Sequence, residues 1–185
     1  MTTKMFSSGV LLTIADSLCQ FIEHTNKNRR LAESFPTNDS TESSSTFTLD
    51  VSRLVRFSLM GAFFIAPATH HWYNYLTKVL PFPKPNTPHF VTTLKRVVLD
   101  QVAFAPFFIP AFFAALSTLE GKSVVQTIDK VKADTKPTYI TNLGVWVPAQ
   151  LVNFSVVPGR YQVLFSNFVG FFWNTYLSYV SNSKK

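Results

Sequence analysis

Residues 146–179 read WVPAQLVNFSVVPGRYQVLFSNFVGFFWNTYLSY, two apolar runs joined by Pro158-Gly159-Arg160. Trp146, Gln150, Asn153 and Val157 are spaced 4, 3 and 4 apart, so a helix sets them along one side. Asn167, Gly170, Asn174 and Ser178 repeat the pattern in the second run. A soluble helix carries Lys and Glu on its far side, whereas these runs carry Phe, Val and Leu there. The sparse amides therefore face a bundle interior and the remainder faces lipid. The short Pro-Gly-Arg link makes the two runs an antiparallel pair.

The composition of the whole chain agrees with this reading. Its 185 residues are 46% hydrophobic, 15% aromatic and only 15% charged, against about 25% charged in average soluble domains. The formal net charge of +7 would suggest nucleic acid in a soluble protein, but the basic residues sit mainly between apolar segments and no recognition motif accompanies them. Nucleic acid is not an expected partner. A single cysteine, Cys19, excludes an intrachain disulfide and any multi-cysteine metal site. No secretory cleavage site, Arg-rich transit peptide or Ser-Lys-Leu ending is found.

Outward from the hairpin, the chain divides into further segments. Phe6 to His24 reads as a helix with Gly9, Thr13, Asp16, Gln20 and Glu23 on one face. It either lies in the membrane interface or spans with its polar face turned into a bundle, and the second reading is favoured because intramembrane carboxylates face inward. Residues 25–50 read as a polar, Ser/Thr-rich loop. Ser52 to Leu80 is apolar, with Arg53 and Arg56 at its entry and His70, His71, Trp72, Tyr73 and Tyr75 near its exit as interfacial anchors. Asp50 and Arg53 are placed to pair on its surface. Pro67 is expected to bend it, and four prolines between 81 and 88 exclude helix from the loop that follows.

Val97 to Leu119 is long enough to cross a hydrocarbon core of about 30 Å. It contains Asp100, Gln101, Pro106 and Pro110 and ends at a C-cap glycine, Gly121. A short surface helix over 123–137, then spans over Tyr139–Val157 and Tyr161–Val180, complete the chain. The fold class is all-α, an integral membrane bundle of four to five segments in a single domain over residues 1–185. The loops then segregate eleven of the 17 basic residues to one side.

Several motifs carry a family resemblance. They are Asp16-x-x-x-Gln20, Asp50-x-x-Arg53-x-x-Arg56 and Pro67-x-x-His70-x-Trp72-Tyr73-x-x-Leu76. Asp100-Gln101-x-x-Phe104-Ala105-Pro106 and Leu119-Glu120-Gly121-Lys122 follow. Trp146-x-Pro148-x-Gln150-x-x-Asn153-Phe154-x-x-Val157-Pro158-x-x-Tyr161 and Phe172-Trp173-x-x-Tyr176-Leu177-Ser178 complete the set. Together they resemble the peroxisomal membrane protein 22 kDa family, also called the mpv-seventeen family, over nearly the full chain. Pro148 stands one residue later than in many members, which read Trp-Pro-x-x-Gln, and this variation is more similar to the peroxisomal type than to the mitochondrial one. The lead-in Tyr-x-x-x-Leu-x-x-x-Pro of other members is not found before the first helix. The resemblance implies a multi-pass protein of the peroxisomal membrane, or alternatively the mitochondrial inner membrane, that forms or regulates a pore for small solutes.

A carboxylate within a span costs roughly 2.5–3.5 kcal/mol on insertion scales, so Asp16 and Asp100 need a partner or water. Two roles stand open for Asp16, Gln20, Arg53, Arg56, Asp100, Gln101, Gln150, Asn153, Arg160 and Asn174: locking the bundle through polar contacts, or lining an aqueous path. His70 and His71 point about 100° apart on a helix without a carboxylate at ligand spacing, so no metal is expected. No cofactor is implied and no nucleophile motif or phosphate loop is found, so the chain reads as non-enzymatic. Membrane lipids are the expected partners, with a homo-oligomer or larger membrane complex beside them. The rival to the pore is a structural subunit of such a complex.

Overall fold

The computed structural model describes residues 2–34, 47–81, 90–157 and 162–182. Five helices account for nearly all of them: α1 (Thr2–Ser34), α2 (Val51–Val79), α3 (Phe90–Leu119), α4 (Val124–Ser155) and α5 (Gln162–Asn182). Contacts between successive helices run in opposite register. Gln20 meets Asp50 while Asp16 meets Arg53, and Trp72 meets Asp100 while Leu80 meets Arg96. Lys130 lies over the Phe113 ring while Asn142 reaches Gln101, and Lys130 meets Ser181 while Thr141 meets Tyr176. The chain therefore runs up and down five times, and α1 and α5 pack side by side in the same direction. That alternation gathers Lys27, Arg29, Arg56, Lys122, Lys130 and Lys132 toward one end, hereafter the basic end.

Leu12, Phe57, Met60, Ala105, Ile109, Phe112, Phe113, Leu116, Trp173 and Leu177 form the core. Large apolar side chains also cover the outside: Phe107 is 74% exposed, Phe63 67% and Val102 66%. Such an outer surface is a liability in water and is what hydrocarbon requires. By length and composition α2 and α3 are each able to cross a membrane. The fold is an all-α membrane bundle, as the sequence leads one to expect.

Several boundaries differ from expectation. Helix α1 continues to Ser34, where a loop was expected from residue 25; Lys27, Arg29, Arg30, Leu31, Ala32 and Glu33 are good helix formers, and polarity alone does not end a helix. Of the expected loop, residues 35–46 lie outside the described residues. The expected surface helix over 123–137 and the span after it are one helix, α4, running through Pro137 and Pro148. A capping box sets its start: Ser123 Oγ accepts from the Gln126 N–H at 3.3 Å and Gln126 Oε1 accepts from the Ser123 N–H at 2.9 Å. Arg160 and Pro158 lie outside the described residues, as does the link they form. At the end of α3, Gly121 sits at φ 72°, and its N–H and that of Lys122 bond back to the Thr118 and Ser117 carbonyls. This is the glycine cap expected there.

Pro67 of α2 and Pro106 of α3 are accommodated alike. Each helix widens into a π turn, Met60–Ile65 and Asp100–Phe104, followed by an alanine and then the proline. The Ala66 N–H reaches back five residues to the Gly61 carbonyl, and the Ala105 N–H to the Asp100 carbonyl. A proline ring clashes with the carbonyl four residues before it and offers no N–H. The wide turn absorbs both defects, so α2 continues through His70 and His71 to Val79. It also frees backbone groups, which is one reason such turns occur at functional sites.

Candidate functional site: a polar cavity between five helices

All five helices contribute to one cavity of about 340 Å³. Its polar lining is Thr69 and Tyr73 from α2, Asp100 and Gln101 from α3, Asn142 and Gln150 from α4, and Asn174 from α5. Leu12, Phe104, Phe108, Phe112, Trp146, Trp173 and Leu177 supply apolar wall. Asp100 is the one charged residue among the described lining residues.

The π turn of α3 presents two successive polar residues here. Asp100 Oδ1 accepts from Trp72 Nε1 at 2.8 Å, and its Oδ2 accepts from Gln101 Nε2 at 3.3 Å. The Trp72 ring is held by stacking on Phe104 with centroids 5.0 Å apart, and Phe104 stacks in turn on Phe108 at 4.9 Å. Thus the aromatic ladder between α2 and α3 aims an N–H at the carboxylate. Asn142 Nδ2 donates to Gln101 Oε1 at 2.5 Å, which ties α4 to the same turn. The Gln101 carbonyl faces the residue 106 proline, and the Ala105 N–H has gone to Asp100. Tyr139 Oη supplies the missing donor at 2.9 Å.

A second polar cluster lies nearer the basic end, between α1, α2 and α5. Arg53 donates from Nε to Asp16 Oδ1 at 2.7 Å, from Nη1 to Glu23 Oε2 at 2.7 Å and from Nη2 to Ser178 Oγ at 2.8 Å. Its Nη2 also reaches Cys19 Sγ and Glu23 Oε1, each at 3.3 Å. Asp16, 0% exposed, further accepts from the Ser178 hydroxyl and from Gln20 Nε2. Gln20 grips the start of α2, since its Oε1 accepts from the Asp50 N–H at 2.7 Å and its Nε2 donates to the Asp50 carbonyl at 3.3 Å. The polar face of α1 is therefore turned into the bundle.

Nine of the ten candidates thus separate, Arg160 lying outside the described residues. Asp100, Gln101, Gln150 and Asn174 line the cavity. Asn153 is buried beside it, donating to Gln150 Oε1 at 3.4 Å. Asp16, Gln20 and Arg53 join helices instead. Arg56 does neither: it turns back to Ser52 Oγ on its own helix at 2.8 Å. Asp50 does not pair with the Arg53 guanidinium; it caps α2, its Oδ1 accepting the Arg53 backbone N–H at 3.0 Å. Asp100 meets an indole where an arginine partner was considered. His70 shares a hydrogen bond with Asn74 at 3.1 Å. Asn142, Tyr139 and Glu23 were not among the candidates. Asn142 was detectable, since it precedes Trp146 by one turn and extends the row Trp146, Gln150, Asn153.

Comparison with known proteins places this bundle. The profile of the Mpv17 / PMP22 family matches residues 117–178, which cover the α3 cap, α4 and most of α5. Peroxisomal membrane protein 2 of Bos taurus is 31% identical over 176 residues, 95% of this chain and 80% of that protein. Protein SYM1 of Saccharomyces cerevisiae is 33% identical over 183 residues, 99% of this chain and 84% of that protein. The mitochondrial inner membrane protein Mpv17 of Xenopus laevis is 36% identical over 133 residues, 71% of this chain and 72% of that protein. No solved structure matches. With relatives of this identity aligned over most of their length, the chain belongs to the Mpv17 / PMP22 family of membrane proteins.

Proposed function

We propose that the bundle forms, or regulates, a pore for small solutes in an organelle membrane. The observation that carries this reading is the cavity itself. A volume of about 340 Å³ lined by all five helices is at the small-molecule end of ligand-site sizes. Its wall offers one carboxylate and four amide side chains, among them Gln150 and Asn174 from the hairpin. Polar groups of this kind inside hydrocarbon are expensive to keep and commonly mark a solute path. The chemistry is non-enzymatic: the cavity groups bind, orient and pass solute. Lipid contacts the outer Phe and Val residues. The relatives' names divide between peroxisomal and mitochondrial inner membranes, and the shifted Pro148 favours the peroxisomal type.

Below the cavity, Leu12, Phe112 and Leu177 belong both to its wall and to the packed core. The described arrangement is accordingly a closed one, and conduction requires these side chains to separate. Purified protein in planar bilayers tests the proposal. Discrete conductance is expected, and Asp100→Asn is expected to lower cation preference by removing the lining charge. Absence of conductance at every voltage and lipid composition would overturn the pore and favour the structural-subunit alternative.

A further inference from the structure

Two polar columns lead from the cavity floor toward the basic end, and they differ in one respect. The column between α1, α2 and α5 is closed on itself: Asp16, Gln20, Arg53 and Ser178 satisfy one another. The other column follows α4. Asn142, Thr138, Asp134 and Lys130 succeed one another at four-residue steps, forming a ridge that winds slowly about the helix. Asn142, Thr138 and Asp134 are buried, and Lys130 is half-buried. Lys130 Nζ meets Asp134 Oδ2 at 3.3 Å, donates to the Ser181 carbonyl at 2.7 Å and lies 5.8 Å over the Phe113 ring. Ser117 sits one turn beyond Phe113 on α3.

The hydroxyls along this second column are unusual for this bundle. Ser17, Ser58, Thr69, Thr77, Thr118, Thr141 and Thr175 all donate to the carbonyl four residues back on their own helix. That local bond is the ordinary resting place of a helical hydroxyl in an apolar setting. Ser117, Thr138 and Ser181 are 0%, 0% and 1% exposed, yet their hydroxyls make no such bond and have no partner among the described residues. A buried hydroxyl left without a partner costs free energy, so native structures give it water or a polar ligand.

We propose that the solute path leaves the cavity along this α4 column, past Asn142, Thr138 and Asp134, with Lys130 at its mouth, and that it passes water and small hydroxylated solutes. The hydroxyls of Ser117, Thr138 and Ser181 replace part of the solvation such a solute gives up. The closed Asp16–Arg53 column is then the fixed wall opposite. This assignment rests on the pore reading and specifies its route and its solute chemistry.

Swelling of proteoliposomes in glycerol tests it. The triple variant Ser117→Ala, Thr138→Val, Ser181→Ala removes the hydroxyls at nearly constant volume and should keep the wild-type melting temperature. Its glycerol permeability is expected to fall about tenfold, the rate equivalent of losing roughly 1.4 kcal/mol of hydrogen bonding. Wild-type swelling with an equally permeable triple variant would overturn the route while leaving the pore standing. No swelling of wild-type vesicles would overturn the pore and the route together. If the triple variant does not fold, Thr138→Cys in a Cys19→Ser background decides: labelling by a water-soluble maleimide with loss of glycerol flux supports the route, and an unlabelled, conducting variant refutes it.

Discussion

Asp16 and Arg53 are 37 residues apart in sequence and meet at 2.7 Å in the buried seam between α1 and α2. Both terminal nitrogens of the guanidinium are also engaged, by Glu23, Cys19 and Ser178. The seam fixes three helices at once, since Ser178 belongs to α5. It also separates the structural role of one buried carboxylate, Asp16, from the cavity-lining position of Asp100.

Removing Arg53 strands the buried Asp16 charge, whereas removing Asp16 leaves Arg53 paired with Glu23. Arg53→Gln is expected to destabilise the bundle by about 3–5 kcal/mol and Asp16→Asn by less, whereas Asp16→Leu with Arg53→Met should recover most of the Arg53→Gln loss. Arg53→Lys should behave as a damaging change, because an ammonium does not reproduce the fork of donors. Thermal unfolding in detergent, followed by circular dichroism, measures all four. Single variants as stable as wild type would show the pair to be inert.

Trp72→Phe keeps an aromatic ring for the Phe104 stack, smaller than the indole, and removes the N–H on Asp100. A hydrogen bond to a charged group contributes roughly 1.5–3 kcal/mol, so a loss of that order in unfolding free energy is expected. If stability instead stays at the wild-type value, the indole is packing alone.

Tyr139 and Pro106 should be energetically coupled although their side chains have no polar bond. Tyr139→Phe is expected to cost about 1 kcal/mol by orphaning the Gln101 carbonyl. In a Pro106→Ala background the restored N–H at residue 106 can take that carbonyl, and the same change should cost close to nothing. A double-mutant cycle on unfolding free energies reads the coupling directly; strict additivity would sever the link between the π turn and Tyr139.

Gly121→Ala forces a left-handed conformation on a residue with a Cβ, at a cost of about 1–2 kcal/mol. The Cβ itself meets nothing within 4 Å, so the cost is conformational. Hydrogen exchange should show the last turn of α3 opening earlier. Unchanged exchange there would mean the cap is not limiting.

Much of this architecture is legible in residue spacing. The row Trp146, Gln150, Asn153 and the row Asp16, Gln20, Glu23 each mark an inward face, because a helix places such residues together and lipid excludes them from the outside. Spacing does not say which inward faces meet. Asp16 could have paired with any of several arginines, and only the register of α1 against α2 selects Arg53. The π turns were also hidden: Pro67 and Pro106 announce a defect in the helix, but whether it becomes a kink or a wide turn depends on neighbouring donors such as Tyr139. Spacing also hides that Asn142 shares one helix with Lys130, Lys132 and Lys136: those lysines read as a separate surface segment ending at Pro137, whereas the helix runs from the capping box at Ser123 through both prolines.

The central claim, that the cavity beside Asp100 belongs to an aqueous path, is tested most directly at Gln150. Because Cys19 is the only cysteine, Gln150→Cys in a Cys19→Ser background carries one thiol, on the cavity wall. Single-channel recording in a planar bilayer during addition of a charged methanethiosulfonate should show conductance falling stepwise to a lower, stable level. Conductance that persists unchanged after mass spectrometry has shown the thiol to be modified would contradict the claim.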